Sequence, residues 1–134
     1  MVKHLASGLW VHGTYGKNFV DGAGQHDIVG WYLKAGWTTK FNHLGNTHFY
    51  GEYGNNDDGF DFGTQLPDSL GVLTNIASSD ADRFGVGVVQ EIDAAAMSLW
   101  AKYRHHSYDA TLANGDAFEA EDVDMFLAGA VIFY

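Results

Sequence analysis

The chain has 134 residues, of which 46% are hydrophobic, and a formal net charge of −10. This acidic balance argues against a nucleic-acid binder, which needs a basic surface, and the absence of cysteine excludes a disulfide framework and a thiolate metal site. No run of 18 apolar residues is present, which excludes a transmembrane helix, whereas 17 glycines, 15% aromatic residues and a single proline favour long antiparallel strands.

Apolar residues alternate with polar or small residues along most of the chain, which is the pattern of β-strands with two unlike faces. The first segment is interrupted, with Leu5, Leu9 and Tyr15 on one side. The second is regular, because large apolar residues from Val29 to Phe41 occupy most odd positions. The alternation predicts an all-β protein with about six strands. These strands are expected near residues 3–16, 27–41, 46–54, 82–92, 97–108 and 122–134.

The predicted connections alternate in length along the chain. We predict long loops at residues 17–26, 54–82 and 108–121, and short turns at residues 42–46 and 93–96. In an antiparallel up-and-down sheet, consecutive strands run in opposite directions. This order therefore places all the long loops at one end of the sheet and both short turns at the other.

One segment is consistent with two structures. The sequence EIDAAAMSLWAKY, residues 91–103, is rich in helix-forming residues and offers Asp93 as an N-cap. However, the alternation over residues 97–105 is regular, and its polar side carries Lys102 and Arg104. We therefore predict a hairpin here rather than a helix.

A sheet with one apolar and one polar face has two uses. The apolar face can point inward, as in a soluble sandwich or lipocalin-like barrel, or outward into lipid, as in a membrane barrel with a polar lumen. Large and charged residues on the polar face, and predicted strands of about 10 residues, favour the membrane barrel. Aromatic residues also mark the ends of the apolar bands, as at lipid–water interfaces. These residues are Tyr15, Phe41, Tyr53, Tyr103 and Tyr134.

Two C-terminal stretches carry a family resemblance. The segment RFGVGVVQEIDAAAMSLWAKYRH, residues 83–105, and the final VDMFLAGAVIFY, residues 123–134, resemble the C-terminal end of Gram-negative outer-membrane porins of the kind common in alphaproteobacteria. The resemblance implies a transmembrane β-barrel in the cell outer membrane that passes small hydrophilic solutes and ions by passive diffusion. It also implies a homotrimer of the full-length protein, in contact with outer-membrane lipid and lipopolysaccharide.

The last strand has a particular meaning within this resemblance. Apolar residues at alternate positions before a terminal aromatic residue imply a lipid-facing stripe that the barrel-assembly machinery reads. The stripe consists of Phe126, Ala128, Ala130, Ile132 and Tyr134. The opposite face of the strand is also apolar, with Met125, Leu127, Val131 and Phe133, which departs from a wall that faces water.

The number of strands is a second departure from a porin. About six strands cannot close a barrel, for which about eight is the practical minimum, and water-filled pores need about 16. We therefore expect a single barrel domain that forms the C-terminal third of a longer porin. Met1 would then be an internal methionine or a misassigned start.

Charged and polar residues on the predicted lumen face are the candidate pore-lining set. They are Lys34, Lys40, His48, Glu52, Arg83, Lys102 and Arg104. A basic wall of this kind would tune ion selectivity. The alternative is that these side chains only solvate a polar face, and the sequence favours neither.

Other chemistries find little support in the sequence. None of the 7 histidines has close metal-ligand spacing, and no serine stands in a nucleophile elbow. We therefore predict no enzyme, no cofactor and no metal. Two other functions are kept as alternatives: a soluble ligand-binding β-barrel, and a non-porous outer-membrane anchor or adhesin.

Overall fold

A computed structural model describes residues 1–19, 27–59 and 64–133. These residues form one antiparallel sheet of nine strands. The expectation of an all-β antiparallel protein is thereby confirmed, although about six strands was too few. The strands are β1 (Val2–Lys3), β2 (Leu9–Asn18), β3 (Ile28–Thr39), β4 (Thr47–Asp57), β5 (Gln65–Pro67), β6 (Leu73–Ile92), β7 (Met97–Leu112), β8 (Ala117–Glu119) and β9 (Val123–Ile132).

The long strands pair with their neighbours in sequence, in the order β2-β3-β4-β6-β7-β9. Two short strands flank the far end of the β6/β7 hairpin. β5 pairs with β6 beyond the end of β4, and β8 pairs with β7 beyond the end of β9. In the described part of the chain the sheet stays open, since β9 pairs with β7 and β1 with β2, and nothing joins these two edges.

The register sorts the side chains into two faces. Leu33 stands opposite Tyr53 and Lys34 opposite Glu52, so apolar and polar residues stay on separate sides across β3 and β4. We call the two sides the apolar face and the polar face. Side chains from β2 to β9 line one hollow on the polar face.

Two predicted long loops, residues 54–82 and 108–121, are largely strand, so these predictions were wrong. β4 continues to Asp57, β6 begins at Leu73, and β7 runs on to Leu112. The extension carries many serine, threonine and aspartate residues, which hide its alternation. A small core holds it together, made of buried Ile76, Ala110 and Leu112 with Leu66, Tyr108 and Phe118 packed against them.

The first predicted strand, residues 3–16, is also divided. β1 folds back onto β2 through a turn in which the His4 amide donates to the Leu9 carbonyl at 2.8 Å. Gly8 has a φ of 74°, and a Cβ there would lie 2.1 Å from the carbonyl oxygen of Thr38. Only glycine fits this close approach, and its carbonyl accepts the Thr38 amide at 2.9 Å.

The hairpin predicted over residues 91–103 is confirmed, because Ile92 pairs with Met97 and the ladder continues along β6 and β7. Its helical tendency is reduced to one 3-10 turn, Asp93–Ala95, closed by Ala96 in the left-handed region with a φ of 45°. No helix long and apolar enough to cross a bilayer occurs among the described residues.

A polar clasp joins the β5–β6 connection to the β7–β8 turn. The Asp116 carboxylate accepts hydrogen bonds from the Ser69 amide at 3.0 Å and from the Ser69 hydroxyl at 2.7 Å. These bonds stabilise the charged form and lower the pKa of Asp116 below its usual value. Asn114 donates to Asp68 at 3.1 Å across the same junction. These contacts thus fix the β6/β7 hairpin at the end that lies away from its turn.

A glycine in β3 is predicted to be essential for the sheet. In Gly36→Ala, the new Cβ would lie 2.5 Å from the Phe49 carbonyl oxygen and 2.3 Å from the Trp10 ring. We expect the free energy of unfolding to fall by about 1–3 kcal/mol, because backbone must move to relieve the contact. Denaturant unfolding followed by tryptophan emission measures the change.

Gly16→Ala is the matched control, since nothing lies within 4 Å of a Cβ at Gly16. Its free energy of unfolding should stay within about 1 kcal/mol of the parent value. An equal loss in both variants would contradict the packing described for Gly36.

Candidate functional site

A buried carboxylate lies at the centre of the polar face. The Glu52 side chain on β4 is 2% exposed. Its Oε2 accepts a hydrogen bond of 2.7 Å from the Tyr32 hydroxyl on β3, and its Oε1 accepts one from Nε of Arg104 on β7. A buried charge needs this kind of pairing, because an uncompensated carboxylate would be strongly destabilising in this position.

The Glu52–Arg104 pair reaches across an intervening strand. Glu52 stands opposite Gly85 of β6, and Gly85 stands opposite Arg104. A Cβ at Gly85 would lie 3.1 Å from Arg104 Cγ, 3.2 Å from Glu52 Cγ and 2.7 Å from the Tyr103 carbonyl oxygen. The glycine therefore leaves the space in which the two side chains meet.

Three further cations of the polar face lie against aromatic rings. Lys34 Nζ is 3.5 Å from the centroid of the Tyr50 ring, and Lys102 Nζ is 5.4 Å from that of Trp100. The guanidinium carbon of Arg83 is 5.0 Å from the centroid of the Tyr32 ring. Contacts of this kind stabilise and orient a cation while leaving its N–H groups available to solvent or solutes.

Three of the aromatic rings on this face lie over glycines of neighbouring strands. Cβ atoms at the glycines would lie 2.3 Å from the Trp10 ring, 2.4 Å from the Tyr50 ring and 2.7 Å from the Trp100 ring. The glycines are Gly36, Gly87 and Gly129, in that order. The rings lie close to the sheet as a result, which keeps the polar face open.

A second polar group lies nearer the short turns. His48 Nε2 is 3.0 Å from Oε1 of Glu91, and His48 Nδ1 is 3.0 Å from the Thr38 hydroxyl. The Asn46 side chain donates to the other oxygen of Glu91 at 2.7 Å. This group ties β3, β4 and β6 together and is separate from the Glu52 centre.

Six of the seven candidate pore-lining residues share the polar face, and the structure brings Glu52 and Arg104 into direct contact. Lys40 lies one residue beyond the end of β3, is exposed, and does not join the group. The six are Lys34, His48, Glu52, Arg83, Lys102 and Arg104.

The charge of the polar face is opposite in sign to that of the chain. Of 7 lysines and arginines in the chain, the polar face holds five: Lys3, Lys34, Arg83, Lys102 and Arg104. On this face the carboxylates of the described long strands are Glu52 and Glu91, although the chain has 17 acidic residues in all. The polar face is therefore a cationic surface on an acidic protein.

The apolar face is exposed and carries two rows of aromatic rings. Toward the long connections, the Tyr103 centroid lies 6.1 Å from that of Phe84 and 5.0 Å from that of Phe126. Toward the short turns, the Phe49 centroid lies 6.4 Å from that of Trp37 and 5.7 Å from that of Phe41. Between the rows stand smaller residues, including Ala35, Gly51, Val86, Val88, Ala101 and Ala128.

The residues expected to face lipid lie on the apolar face of β9. Phe126 is 83% exposed, and its register partner Tyr103 belongs to the same face of β7. Ala128, Ala130 and Ile132 continue the row and are also exposed. Tyr134 lies outside the described residues.

Sequence reasoning missed the aromatic partners of the cations, namely Tyr32, Tyr50, Trp10 and Trp100. The available signal was an aromatic residue at a polar-face position combined with glycine on an adjacent strand, and reading it requires the strand register. Within the described ranges, no cluster of three or more histidine or acidic side chains is arranged to hold a metal ion.

Comparisons with protein-family models, with curated proteins and with solved structures find no match for this chain. The porin resemblance of residues 83–134 therefore stays a prediction. What the structure contributes to function is the geometry and charge of its two faces.

Removal of the Glu52 charge is predicted to destabilise the sheet. In Glu52→Gln, Arg104 would lose its carboxylate partner while staying partly buried. We expect the free energy of unfolding to fall by about 1.5–3 kcal/mol, the range for hydrogen bonds to charged groups. Denaturant unfolding of the refolded chain is the measurement.

Glu91→Gln is the control for this substitution. Its carboxylate is 35% exposed and its His48 partner 24% exposed, so solvent screens the pair. Its loss should stay below about 1 kcal/mol. A loss as large as that of Glu52→Gln would show that Glu52 has no special role.

Proposed function

We propose that this chain forms part of the wall of a porin, a water-filled channel in the Gram-negative outer membrane through which small hydrophilic solutes and ions diffuse passively. One observation carries the proposal: the sheet exposes large apolar side chains on one face, and its other face carries the Glu52–Arg104 pair and the cations Lys34, Arg83 and Lys102. A soluble sheet protein would bury the apolar face instead. An apolar face toward lipid and a polar face toward the lumen are expected of a membrane barrel.

The extent of the exposed apolar surface supports a lipid contact. Exposed apolar residues are common singly on soluble proteins, but a continuous sheet face of them needs a covering partner. Trp31 (40% exposed) and Leu33 (46%) on β3, Tyr53 (42%) on β4 and Val86 (57%) on β6 belong to three consecutive strands of the sheet. Hydrocarbon chains would cover the whole face at once.

The aromatic rows also suit a bilayer. Aromatic rings are favoured at the headgroup level on both sides of a membrane, with aliphatic and small residues between. The Trp31 ring centroid lies 5.2 Å from that of Tyr53 at the end nearer the long connections, and Trp37 of the other row stands six residues, or about 20 Å, along the same strand. In a strand tilted by about 40°, this separation spans about 15 Å of an apolar band of about 25 Å.

The strand lengths and the open edges fit a segment of a larger barrel. β2, β3, β4 and β9 have 10, 12, 11 and 10 residues, which is enough to cross a bilayer when tilted. Unpaired strand edges are not stable in hydrocarbon, so further strands must pair with β9 and with the β1–β2 edge. A homotrimer, lipopolysaccharide contacts and delivery by the barrel-assembly machinery belong to the same proposal.

The side chains facing the interior would favour anions. Lys34, Arg83 and Lys102 lie on aromatic rings with no carboxylate bound to them in the described part of the chain. A positive wall raises the local concentration of anions and lowers that of cations. The proposal therefore includes a channel with a preference for anionic over cationic solutes.

The four tryptophans of the chain report directly on membrane insertion. Trp31 and Trp37 lie on the apolar face, whereas Trp10 and Trp100 lie on the polar face. Four variants that each keep one tryptophan and replace the others by phenylalanine should divide in vesicles. Lipid-borne quenchers should reduce the emission of Trp31 and Trp37, and acrylamide in the water should reduce that of Trp10 and Trp100.

A soluble ligand-binding barrel would give a different result. It would remain a monodisperse monomer in detergent-free buffer, and lipid-borne quenchers would not distinguish between the two pairs of tryptophans. That outcome would overturn the membrane assignment.

Ion selectivity separates a channel from a non-porous anchor. In planar bilayers with a salt gradient, Lys102→Glu in the assembled barrel should move the reversal potential toward cation preference, because the charge of the wall changes sign at that position. Lys102→Gln should give about half of the shift. Absence of conductance would favour an anchor or adhesin, and an unchanged reversal potential would place Lys102 outside the lumen.

A further inference from the structure

The polar face contains a hollow of about 830 Å³ beyond the Glu52 centre, toward the long connections. A volume of this size accommodates a small organic molecule. Strands β2, β3, β4, β6, β7 and β9 all contribute to its lining. We call it the Arg83 hollow, after the cation at its base, and its lining includes Gly30, Tyr32, Gly54, Arg83 and His106.

Two glycines leave space at the base of the Arg83 hollow because they have no side chains. A Cβ at Gly30 would lie 2.4 Å from Oδ1 of Asn56. A Cβ at Gly54 would lie 3.2 Å from the Tyr32 ring and 3.4 Å from Nη2 of Arg83. Backbone without side chains therefore gives the hollow its depth and allows the Arg83 guanidinium to extend across Gly54 toward the Tyr32 ring.

Arg83 has no anionic partner in the part of the chain that the structure describes. Its guanidinium carbon lies 5.0 Å from the Tyr32 ring centroid, and its buried Nε has no hydrogen-bond acceptor. Its register partner His106 likewise has a buried Nε2 without a partner. The contrast with Arg104, which holds Glu52, is direct, because both arginines belong to the same face.

A guanidinium beside an imidazole, both with unused hydrogen-bonding atoms, is suited to an anion. The planar fork of an arginine matches the two oxygens of a carboxylate better than it matches a spherical ion. Ile28, Ala81 and Val123 give the hollow an apolar side as well. This combination favours an organic anion with a small hydrophobic body over a free inorganic ion.

We propose that the Arg83 hollow binds a small organic carboxylate, with Arg83 holding the two oxygens and His106 supplying a further contact. The proposal rests on the proposed function, because it names the class of solute that the polar face retains on its way through the channel. Two other charges of the lining are already engaged. Lys17 Nζ lies 2.8 Å from Asp27, and Asp82 accepts the Tyr53 hydroxyl at 2.6 Å.

Asp82 keeps its charge but belongs to the apolar face, where the Tyr53 hydroxyl donates to it. The carboxylate that departs from this complementarity is therefore that of Glu121, which lies in the lining and is exposed. It would repel an anion that enters the hollow. Glu121→Gln should therefore strengthen binding by about twofold to fivefold, the range for exposed charge pairs. This variant raises affinity where most substitutions lower it, so its effect cannot be ascribed to poor folding.

The probe is benzoate, titrated calorimetrically into the whole chain folded in detergent micelles. Benzamide has the same shape without the charge and should bind about tenfold more weakly or worse, as should inorganic phosphate. Arg83→Gln should lower the affinity for benzoate by about tenfold or more, and Arg83→Lys by an intermediate amount, because it keeps the charge and loses the fork.

Lys102→Gln is the matched control. It removes the same charge from the same face, but its residue lies four positions from His106 along β7 and outside the hollow. The affinity for benzoate should stay within about twofold of the parent value, because solvent and salt screen charges at this distance. Tryptophan emission of each variant verifies that it is folded.

Several results would overturn the inference. They are equal affinity for benzoate and benzamide, tighter binding of phosphate than of benzoate, and an equal loss in Arg83→Gln and Lys102→Gln. Absence of benzoate binding by the folded chain would do the same. Quenching of Trp31 and Trp37 by lipid, measured on the same protein reconstituted in vesicles, distinguishes failure of the carboxylate site from failure of the proposed function. If lipid still quenches both tryptophans, only the carboxylate site is refuted. If lipid does not quench them, the proposed function is refuted as well.

Discussion

The buried Glu52 carboxylate organises the polar face, because a charge in that position is stable only while Tyr32 and Arg104 hold it. These partners come from strands on both sides of β4, so the carboxylate fixes the relative positions of β3, β4, β6 and β7 at once. The contact with Arg104 passes over Gly85 and would be obstructed by any larger residue. One ion pair and one glycine thus define the centre of the polar face.

The cations around this centre are held in two different ways. Arg104 is neutralised by Glu52, whereas Lys34, Arg83 and Lys102 lie against aromatic rings and have no carboxylate partner among the described residues. A cation–π contact orients a side chain without cancelling its charge. The polar face therefore combines a fixed framework with accessible positive charge, which suits the binding and passage of anions.

The proposed membrane location rests on the apolar face. Its side chains are large, continuous across neighbouring strands and exposed, and aromatic rows border them on two sides. In water such a face would promote aggregation, and in hydrocarbon it would need no other partner. The proposed environment, with lipid on one side and water on the other, would satisfy both faces.

The sequence by itself determined the class of fold, the assignment of side chains to the two faces, and most of the polar set. Alternation is a local property, so the period of two in Val29–Phe41 and Met97–His105 can be recognised without knowing which strands pair. Only the tertiary structure decided the rest. The extension of β6 and β7 depends on a core between residues far apart in the chain, such as Ile76 and Leu112. The division of the first strand depends on the approach of Gly8 to Thr38. Lys40 lies outside the site because β3 ends before it. The pairing of Glu52 with Arg104, and the lack of such a partner for Arg83 within residues 1–19, 27–59 and 64–133, depend on which strands are neighbours and on their register. Contacts across the sheet establish that register, and local alternation does not encode it.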